Sequence, residues 1–269
     1  MAAAGLVVGK DKDAIAAAVV EKVATIALLA IAERGVFNVA VSGGSMPKIL
    51  AAIADAEGVD WSKWRIFFAD ERCVPLDDDD SNYKAWTFFF EAAGIPMENI
   101  FAIDPSLSPE AAATDYASRL KEALGGASTD GSGQDGVMSI PRFDALLLGM
   151  GPDGHTCSLF PGHPLLDEKE KWVAHIEDSP KPPPSRITLT FPVLNEARNV
   201  MFVGTGESKA SLLPQLIGVG TEGGLKAVGS ASPYPAARVY PEKGSLTYCV
   251  DTAAAAQCPP EVMALAQAC

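Results

Sequence analysis

The first long stretch of the chain carries apolar residues at every third or fourth position, which is the spacing of one buried helix face. These residues are Ile15, Val19, Val23, Ile26 and Ala30. Asp11 or Asp13 can cap the start of this helix, and Gly35 can end it. The pattern therefore predicts a long helix near the amino end.

Short apolar runs further along the chain predict strands, because each is four to six residues long and ends in a polar or glycine-bearing turn. The predicted strands are 36–41, 65–69, 143–148, 200–205 and 246–250. Between them lie segments with helical spacing or capping residues. The predicted helices are 47–58, 82–94, 108–124 and a short one at 209–217 that is broken or started by Pro214.

Strands that alternate with helices indicate an α/β fold with a mainly parallel sheet. In such sheets ligands bind at the carboxyl ends of the strands, so the turns after the strands are where chemistry is expected. Residues 125–136 hold five glycines and predict a flexible loop. We interpret this loop as an insertion within a single domain that spans residues 1–269.

Composition limits the partners. The chain has 21 Lys and Arg against 34 Asp and Glu, a net charge of −13, so we expect no binding to nucleic acid or to anionic membranes. Five cysteines without a C-x-x-C pair indicate reduced thiols. The most apolar stretch, 14–32, contains Glu21 and Lys22, which makes a membrane span costly. We expect a cytoplasmic protein without a secretion signal, and favour a monomer while leaving the oligomeric state open.

The turn after the first predicted strand could bind an anion. It reads Ser42, Gly43, Gly44 and Ser45 and leads into a predicted helix at Pro47. Adjacent glycines let the backbone approach an anion, and free N–H groups at a helix start can donate to phosphate oxygens. The motif is not one of the standard nucleotide-binding patterns, and an ordinary tight turn explains it equally well.

The turn after the second strand begins Asp70-Glu71-Arg72. A surface ion pair is the common interpretation, whereas Arg72 at a strand's carboxyl end would suit phosphate oxygens. The four acids at 77–80 favour a solvated loop over a metal site, because no ligand spacing supports a metal.

A glycine-rich turn follows strand 143–148 and presents Asp153 and His155. Its start matches the dinucleotide motif G-x-G-x-x-G, but Pro161 follows too soon for the long helix that such a site requires. Histidine suits proton transfer near neutral pH, so His155 is a candidate general base. The residues leave open whether Asp153 or Asp70 orients its ring. Neither a zinc site at these residues nor a Cys157 nucleophile is well supported.

Two further cations, Arg186 and Lys209, fall where the ligand edge of the sheet is expected. Each alone would be read as a surface charge. Together with Arg72 and the 42–45 turn, they predict a positive pocket in an acidic protein, which favours a phosphorylated small molecule as the ligand.

Several ordered motifs resemble the 6-phosphogluconolactonase family. They are S-G-G-S-M-P at 42–47, W-R-I-F-F-A-D-E-R at 64–72, S-N-Y at 81–83, D-G-H-T-C-S-L-F-P at 153–161, P-P-S-R-I-T-L-T at 183–190 and G-E-S-K at 206–209. The amino-terminal helix and the segment after Gly218 are covered only loosely.

This resemblance implies a Rossmann-like α/β domain with helices on both faces of the sheet, related to the glucosamine-6-phosphate deaminases. It implies hydrolysis of 6-phospho-D-glucono-1,5-lactone, the second step of the oxidative pentose phosphate pathway, without a cofactor or metal. It makes His155 the base, with Asp153 or Asp70 nearby. Phosphate and substrate contacts fall to the 42–45 turn, Arg72, Arg186 and Lys209.

Two alternatives remain open. A glucosamine-6-phosphate deaminase would carry D-G-H-I-A-F-N-E-P where this chain has Thr156, Ser158, Leu159 and Phe160. A sugar-phosphate sensor without catalytic activity would usually carry a DNA-binding or partner module, and this acidic chain shows no basic helix-turn-helix extension.

Overall fold

A computed structural model describes residues 3–56, 58–125 and 140–269. Its strands are β1 (Ala4–Gly9), β2 (Phe37–Val41), β3 (Trp64–Phe68), β4 (Asp70–Arg72), β5 (Ile100–Phe101), β6 (Ala145–Leu148), β7 (Val173–Ile176), β8 (Arg186–Leu189), β9 (Asn199–Gly204), β10 (Ile217–Val219), β11 (Leu225–Ala227), β12 (Ser245–Asp251) and β13 (Gln267–Ala268). Its helices are α1 (Lys12–Arg34), α2 (Met46–Ile49), α3 (Asn82–Ala93), α4 (Pro109–Leu124), α5 (Phe191–Leu194), α6 (Leu213–Leu216) and α7 (Pro260–Met263).

The central sheet has eight strands in the order β13-β1-β12-β9-β6-β2-β3-β5, and all of its pairs are parallel. From β2 the chain moves outward through β3 to β5. It then returns to the other side of β2 and moves outward through β6, β9 and β12. The direction of winding therefore reverses between β2 and β6, and a crevice opens at such a reversal in doubly wound sheets. The predicted α/β fold with a mainly parallel sheet is confirmed.

Helices cover both faces of this sheet, as expected. On one face of the sheet, buried residues of α1, α2 and α3 pack against the side chains that β2, β3 and β6 direct to that face. On the other face, residues of α4, α5, α6 and α7 pack on the alternate side chains. Parallel strands covered on both faces are apolar at nearly every position, which explains the continuous apolar runs in the sequence.

Helix α1 starts and ends as its sequence predicts. The Asp11 side chain accepts a hydrogen bond from the backbone N–H of Ala14, and Gly35 follows in the left-handed conformation. By length and composition alone α1 could cross a membrane. Five of its residues are buried, however, and they pack against the sheet. One face of α1 is therefore part of the core, while Leu28 and Leu29 are exposed.

A small antiparallel sheet of order β4-β8-β7 lies beside the carboxyl edge of the central sheet. Strand β4 follows β3 after one residue, so the chain leaves the central sheet and pairs at once with β8. In this register Arg72 lies opposite Arg186. The small sheet thus brings two distant parts of the sequence to one edge.

Some predictions of local structure differ from the structure. The helix expected at 47–58 is only α2 followed by a 3-10 turn at Ala51–Asp55. The segment 209–217 is divided as its proline predicts, into the end of a 3-10 turn at Glu207–Lys209 and helix α6, which has Pro214 in its first turn. Strand β1 was not predicted. Of the predicted loop 125–136, Gly125 ends α4, and the rest lies outside the described residues.

Candidate active site

Four turns meet at the carboxyl edge of the central sheet, because they follow four neighbouring parallel strands, β9, β6, β2 and β3. They form a cavity of about 370 Å³ at the point where the winding reverses. Every predicted site residue except Asp153 lines it. These are Ser42, Gly43, Gly44, Ser45, Asp70, Arg72, His155, Arg186 and Lys209.

Asp153 contacts His155 but does not line the cavity itself. Its Oδ1 is 2.5 Å from His155 Nδ1, and the imidazole is mostly buried. The Phe160 ring stacks on the imidazole with centroids 5.0 Å apart. A carboxylate only accepts hydrogen bonds, so Nδ1 carries the proton in this pair and Nε2 keeps its lone pair. The open choice between the two carboxylates is thus resolved geometrically, with Asp153 at the ring.

The backbone of this turn leaves space for the pair only because residue 151 is glycine. A Cβ at Gly151 would lie 2.0 Å from His155 Nδ1 and 2.4 Å from Asp153 Oδ1. The Gly151 N–H donates to the His155 carbonyl at 2.8 Å, and the Gly154 N–H donates to the Gly151 carbonyl at 3.0 Å. Both N–H groups are therefore used inside the turn.

The environment sets the protonation of both partners. Burial lowers the pKa of His155 below its ordinary value; the Asp153 hydrogen bond opposes this, and the positive charge of Lys181 adds to it. Burial would raise the pKa of Asp153, but the hydrogen bond from His155 and the nearby charges leave that pKa lowered. Near neutral pH the pair is therefore an ionised carboxylate beside a neutral imidazole.

Asp70 has a different partner. Its Oδ2 accepts a hydrogen bond of 2.8 Å from the Ser158 hydroxyl, which is fully buried. The Ser158 N–H in turn donates to the Thr188 hydroxyl at 3.2 Å. This chain of bonds ties β4, β8 and the histidine turn together. Asp70 therefore contributes negative charge to the cavity wall, while its orientation is fixed by the small sheet.

The 42–45 turn rests on helix α3. The indole N–H of Trp86 donates to the Ser42 carbonyl at 3.0 Å. The side chain of Asn82 packs directly under Gly43, where a Cβ would meet its Oδ1 at 1.8 Å. Asn82 also donates to the Asp70 carbonyl at 2.8 Å. Asn82 therefore connects the glycine turn to the carboxylate strand. The sequence analysis included it in the S-N-Y motif at 81–83 but gave it no role at the site.

The two arginines differ in how many donors they leave free. Arg72 Nη1 donates to the Asp80 carbonyl at 2.6 Å, and its Nε has no hydrogen-bond partner among the described residues. Arg186 Nε donates to the Pro183 carbonyl at 3.0 Å, and Nη2 donates to the carbonyls of Lys181 and Pro182 at 2.9 and 3.0 Å. Arg186 thus uses much of its guanidinium to fold the proline-rich segment.

Lys209 lines the cavity together with His155, and the charges of Lys181 and Asp153 act on both side chains. Burial lowers the pKa of Lys209, the charge of Lys181 lowers it further, and Asp153 opposes this. The turn that carries Lys209 is held by Asp251, whose carboxylate oxygens both lie 3.0 Å from the Gly206 N–H. Asp251 ends strand β12, so a further strand of the sheet supports this cation.

Sequence reasoning missed one charged residue at the site. Lys181 Nζ lies 3.0 Å from His155 Nδ1 and 3.4 Å from Asp153 Oδ1. It belongs to the loop between β7 and β8 rather than to a turn after a central strand. The proline run around it was the available signal, since a stiff segment beside Arg186 fixes where its neighbours lie.

The other two histidines lie outside this cavity. His163 is 3.1 Å from Asp178, and both line a separate depression of about 620 Å³ with His175. Cys157 lines the active cavity, but burial raises the pKa of its thiol, which disfavours the thiolate. Within the described ranges no three His, Cys, Asp or Glu side chains are grouped to hold a metal ion.

Comparisons with known proteins agree with this geometry. Residues 10–248 match the family model described as glucosamine-6-phosphate isomerases/6-phosphogluconolactonase. A 6-phosphogluconolactonase of Rattus norvegicus is 45% identical over 228 residues, which are 82% of this chain and 80% of the rat protein. The crystal structure of a 6-phosphogluconolactonase from Thermotoga maritima has a TM-score of 0.72 and 29% identity, covering 92% of this chain and 99% of that one.

A rice relative shows where the match is shorter. The probable 6-phosphogluconolactonase 4, chloroplastic, of Oryza sativa subsp. indica is 48% identical over 196 residues. The match covers 69% of this chain but only 58% of the rice protein, less than two thirds of its length. Because that name includes a plastid location, the cytoplasmic location expected for this chain stays a prediction.

Proposed function

Because the chain belongs to the glucosamine-6-phosphate isomerase/6-phosphogluconolactonase family, we propose that it hydrolyses 6-phospho-D-glucono-1,5-lactone to 6-phospho-D-gluconate. The observation that carries this proposal is the Asp153–His155 pair at the wall of a cavity that also holds three cationic side chains. A phosphorylated lactone offers what such a cavity takes: a dianion for the cations, and a carbonyl for a base-activated water.

His155 acts as the general base in this proposal. Asp153 fixes the proton on Nδ1, so the lone pair of Nε2 is free to accept a proton from water. The resulting hydroxide attacks the lactone carbonyl carbon and forms a tetrahedral intermediate. When this collapses, the bond from the carbonyl carbon to the ring oxygen breaks, and the imidazolium returns its proton to that oxygen. General acid–base catalysis of this kind contributes about 10²–10⁴-fold.

Charge that develops on the carbonyl oxygen needs a donor. The N–H groups of Gly151 and Gly154 are used within their own turn, which favours a cationic side chain instead. Lys209 lines the cavity together with His155 and interacts electrostatically with Asp153. We therefore place Lys209 near the reacting carbonyl, and the phosphate near Arg72, Arg186 and the 42–45 turn.

A lactonase assay with freshly generated substrate, corrected for spontaneous hydrolysis, tests the proposal. The wild-type protein should accelerate hydrolysis, and His155→Ala should lower kcat by a factor of about 10² or more while circular dichroism stays unchanged. Near-wild-type turnover in His155→Ala would overturn the base assignment. Release of ammonia from glucosamine 6-phosphate, without lactonase activity, would instead favour the isomerase branch of the family.

The placement of the phosphate is tested separately. Arg72→Ala should raise KM for the phosphorylated lactone far more than for the same lactone without phosphate, because only the former has a dianion to bind. An equal loss on both substrates would show that Arg72 does not contact the phosphate.

A further inference from the structure

The positive charge of Lys181 lies beside His155, where it disfavours protonation of the imidazole. The Lys181 ammonium is 3.0 Å from Nδ1 of His155, the nitrogen that faces Asp153. The contact is not that of a freely moving surface lysine, because hydrogen bonds hold the backbone of the loop that carries Lys181. Arg186 Nη2 and the Ser179 hydroxyl both donate to the Lys181 carbonyl, at 2.9 and 2.8 Å.

The hydrogen-bond donors and acceptors of Asp153, His155 and Lys181 determine which atom Lys181 bonds to. Asp153 accepts from Nδ1, so that nitrogen already carries a proton, and an ammonium group has only donors. Lys181 therefore bonds to Asp153 Oδ1, at 3.4 Å, and its charge rests beside the ring without a bond to it. A cation in that position opposes the arrival of a second proton at Nε2.

The other charges around the ring act in the opposite direction. Asp153 in the same turn and Asp70 on β4 both favour the protonated imidazole, while Lys181 disfavours it. The Phe160 ring covers one face and carries no charge. Without Lys181, the two carboxylates would lose the ammonium group 3.0 Å from Nδ1 that offsets them. The burial of the imidazole and the cavity cations Arg72, Arg186 and Lys209 would remain.

We propose that Lys181 is a positioning residue that holds Asp153 against Nδ1 and keeps His155 unprotonated near neutral pH. This inference rests on the proposed function, because only a general base needs its lone pair free at the working pH. Lys181 does not line the substrate cavity, so its effect passes through the Asp153–His155 pair rather than through contact with the substrate.

The test compares Lys181→Met and Lys181→Arg with Lys169→Met, which removes the same charge from an exposed position outside the cavity. The His155 ring is titrated by NMR in each protein; with three histidines in the chain, a His155→Ala spectrum assigns its signal. We expect Lys181→Met to raise the His155 titration midpoint by about one pH unit. Lys181→Arg should restore it, because the charge is kept. Lys169→Met should leave it unchanged.

Activity supplies the second measurement. The acid limb of the kcat profile of Lys181→Met should move up with the NMR midpoint, while KM stays close to wild type. An unmoved midpoint in Lys181→Met, or an equal shift in Lys169→Met, overturns the proposal. A raised KM with an unmoved midpoint also overturns it and makes Lys181 a substrate contact. Since the NMR titration needs no turnover, a protein without lactonase activity would refute the proposed function while this inference was still measured.

Discussion

Asp70 accepts a 2.8 Å hydrogen bond from Ser158, while the carboxylate at the ring of His155 is that of Asp153. The two carboxylates that sequence reasoning could not distinguish therefore have separate positions. One is fixed inside the wall by a buried hydroxyl, and the other is paired with the base. Their exchange would require β4 to leave β8, in which Thr188 lies opposite Asp70.

Ser158→Ala should destabilise the protein and weaken catalysis together. The substitution leaves a buried carboxylate of Asp70 without its hydroxyl donor, which costs about 1–3 kcal/mol. Urea denaturation measures this cost. Ser106→Ala is the matched control, because Ser106 donates to Asp104 at 2.6 Å on an exposed surface where water can replace it. Equal losses of stability in the two variants would contradict the assigned role of the buried bond.

Asp153→Asn should lower kcat by about 10² or more with little change in fold, because the amide no longer fixes the proton on Nδ1. Asp178→Asn removes a carboxylate beside His163 in the same way, outside the active cavity. It should leave kcat unchanged. Steady-state kinetics on both variants checks this, and a similar kcat for the two would refute the orienting role of Asp153.

Gly151→Ala should reduce kcat strongly, because the new Cβ would meet the imidazole at 2.0 Å and force the ring from its place. Gly218→Ala is the control outside the cavity, since its Cβ would have open space. We expect it to keep most of its activity. A crystal structure of Gly151→Ala should show a displaced His155, and an undisplaced ring with full activity would contradict the expectation.

The pH dependence follows from the lowered pKa of His155. The base is active when unprotonated, so kcat/KM should fall to half of its plateau only below pH 6.5. The same shift affects stability: below pH 6.5 the unfolded ring binds a proton before the folded ring does, so the free energy of unfolding falls as pH decreases. A kcat/KM profile that falls with a midpoint above pH 6.5 would show that the pKa is not lowered.

Much of the site was predictable because a parallel sheet collects the turns that follow its strands. The 42–45 turn, Arg72, His155 and Lys209 were found by that rule alone. Lys181 was not, since it sits on a loop of the small antiparallel sheet, and its place depends on hydrogen bonds from Arg186. The sequence left the partner of His155 undecided for a similar reason. Asp70 lies on β4, and the position of β4 depends on its pairing with β8.

Local structure was predictable where one residue determines it. Asp11 caps the start of helix α1 and Gly35 caps its end as expected, because a capping side chain and a left-handed glycine act without tertiary contacts. Pro214 acts in the same way, since proline suits the first turn of a helix but not its interior, and α6 carries it in its first turn. Strand β1 has a short apolar run between glycines, and its pairing with β12 near the other end of the chain decides its structure.

Because the winding reverses between β2 and β6, the residues that line the cavity come from two separate stretches of the chain. Ser42 and Arg72 come from the earlier stretch, and His155 and Lys209 from the later one. They share a cavity only once β2 and β6 have paired, with Val39 opposite Ala145. During refolding, turnover therefore cannot return before the two stretches have joined, and neither half alone could form the complete cavity.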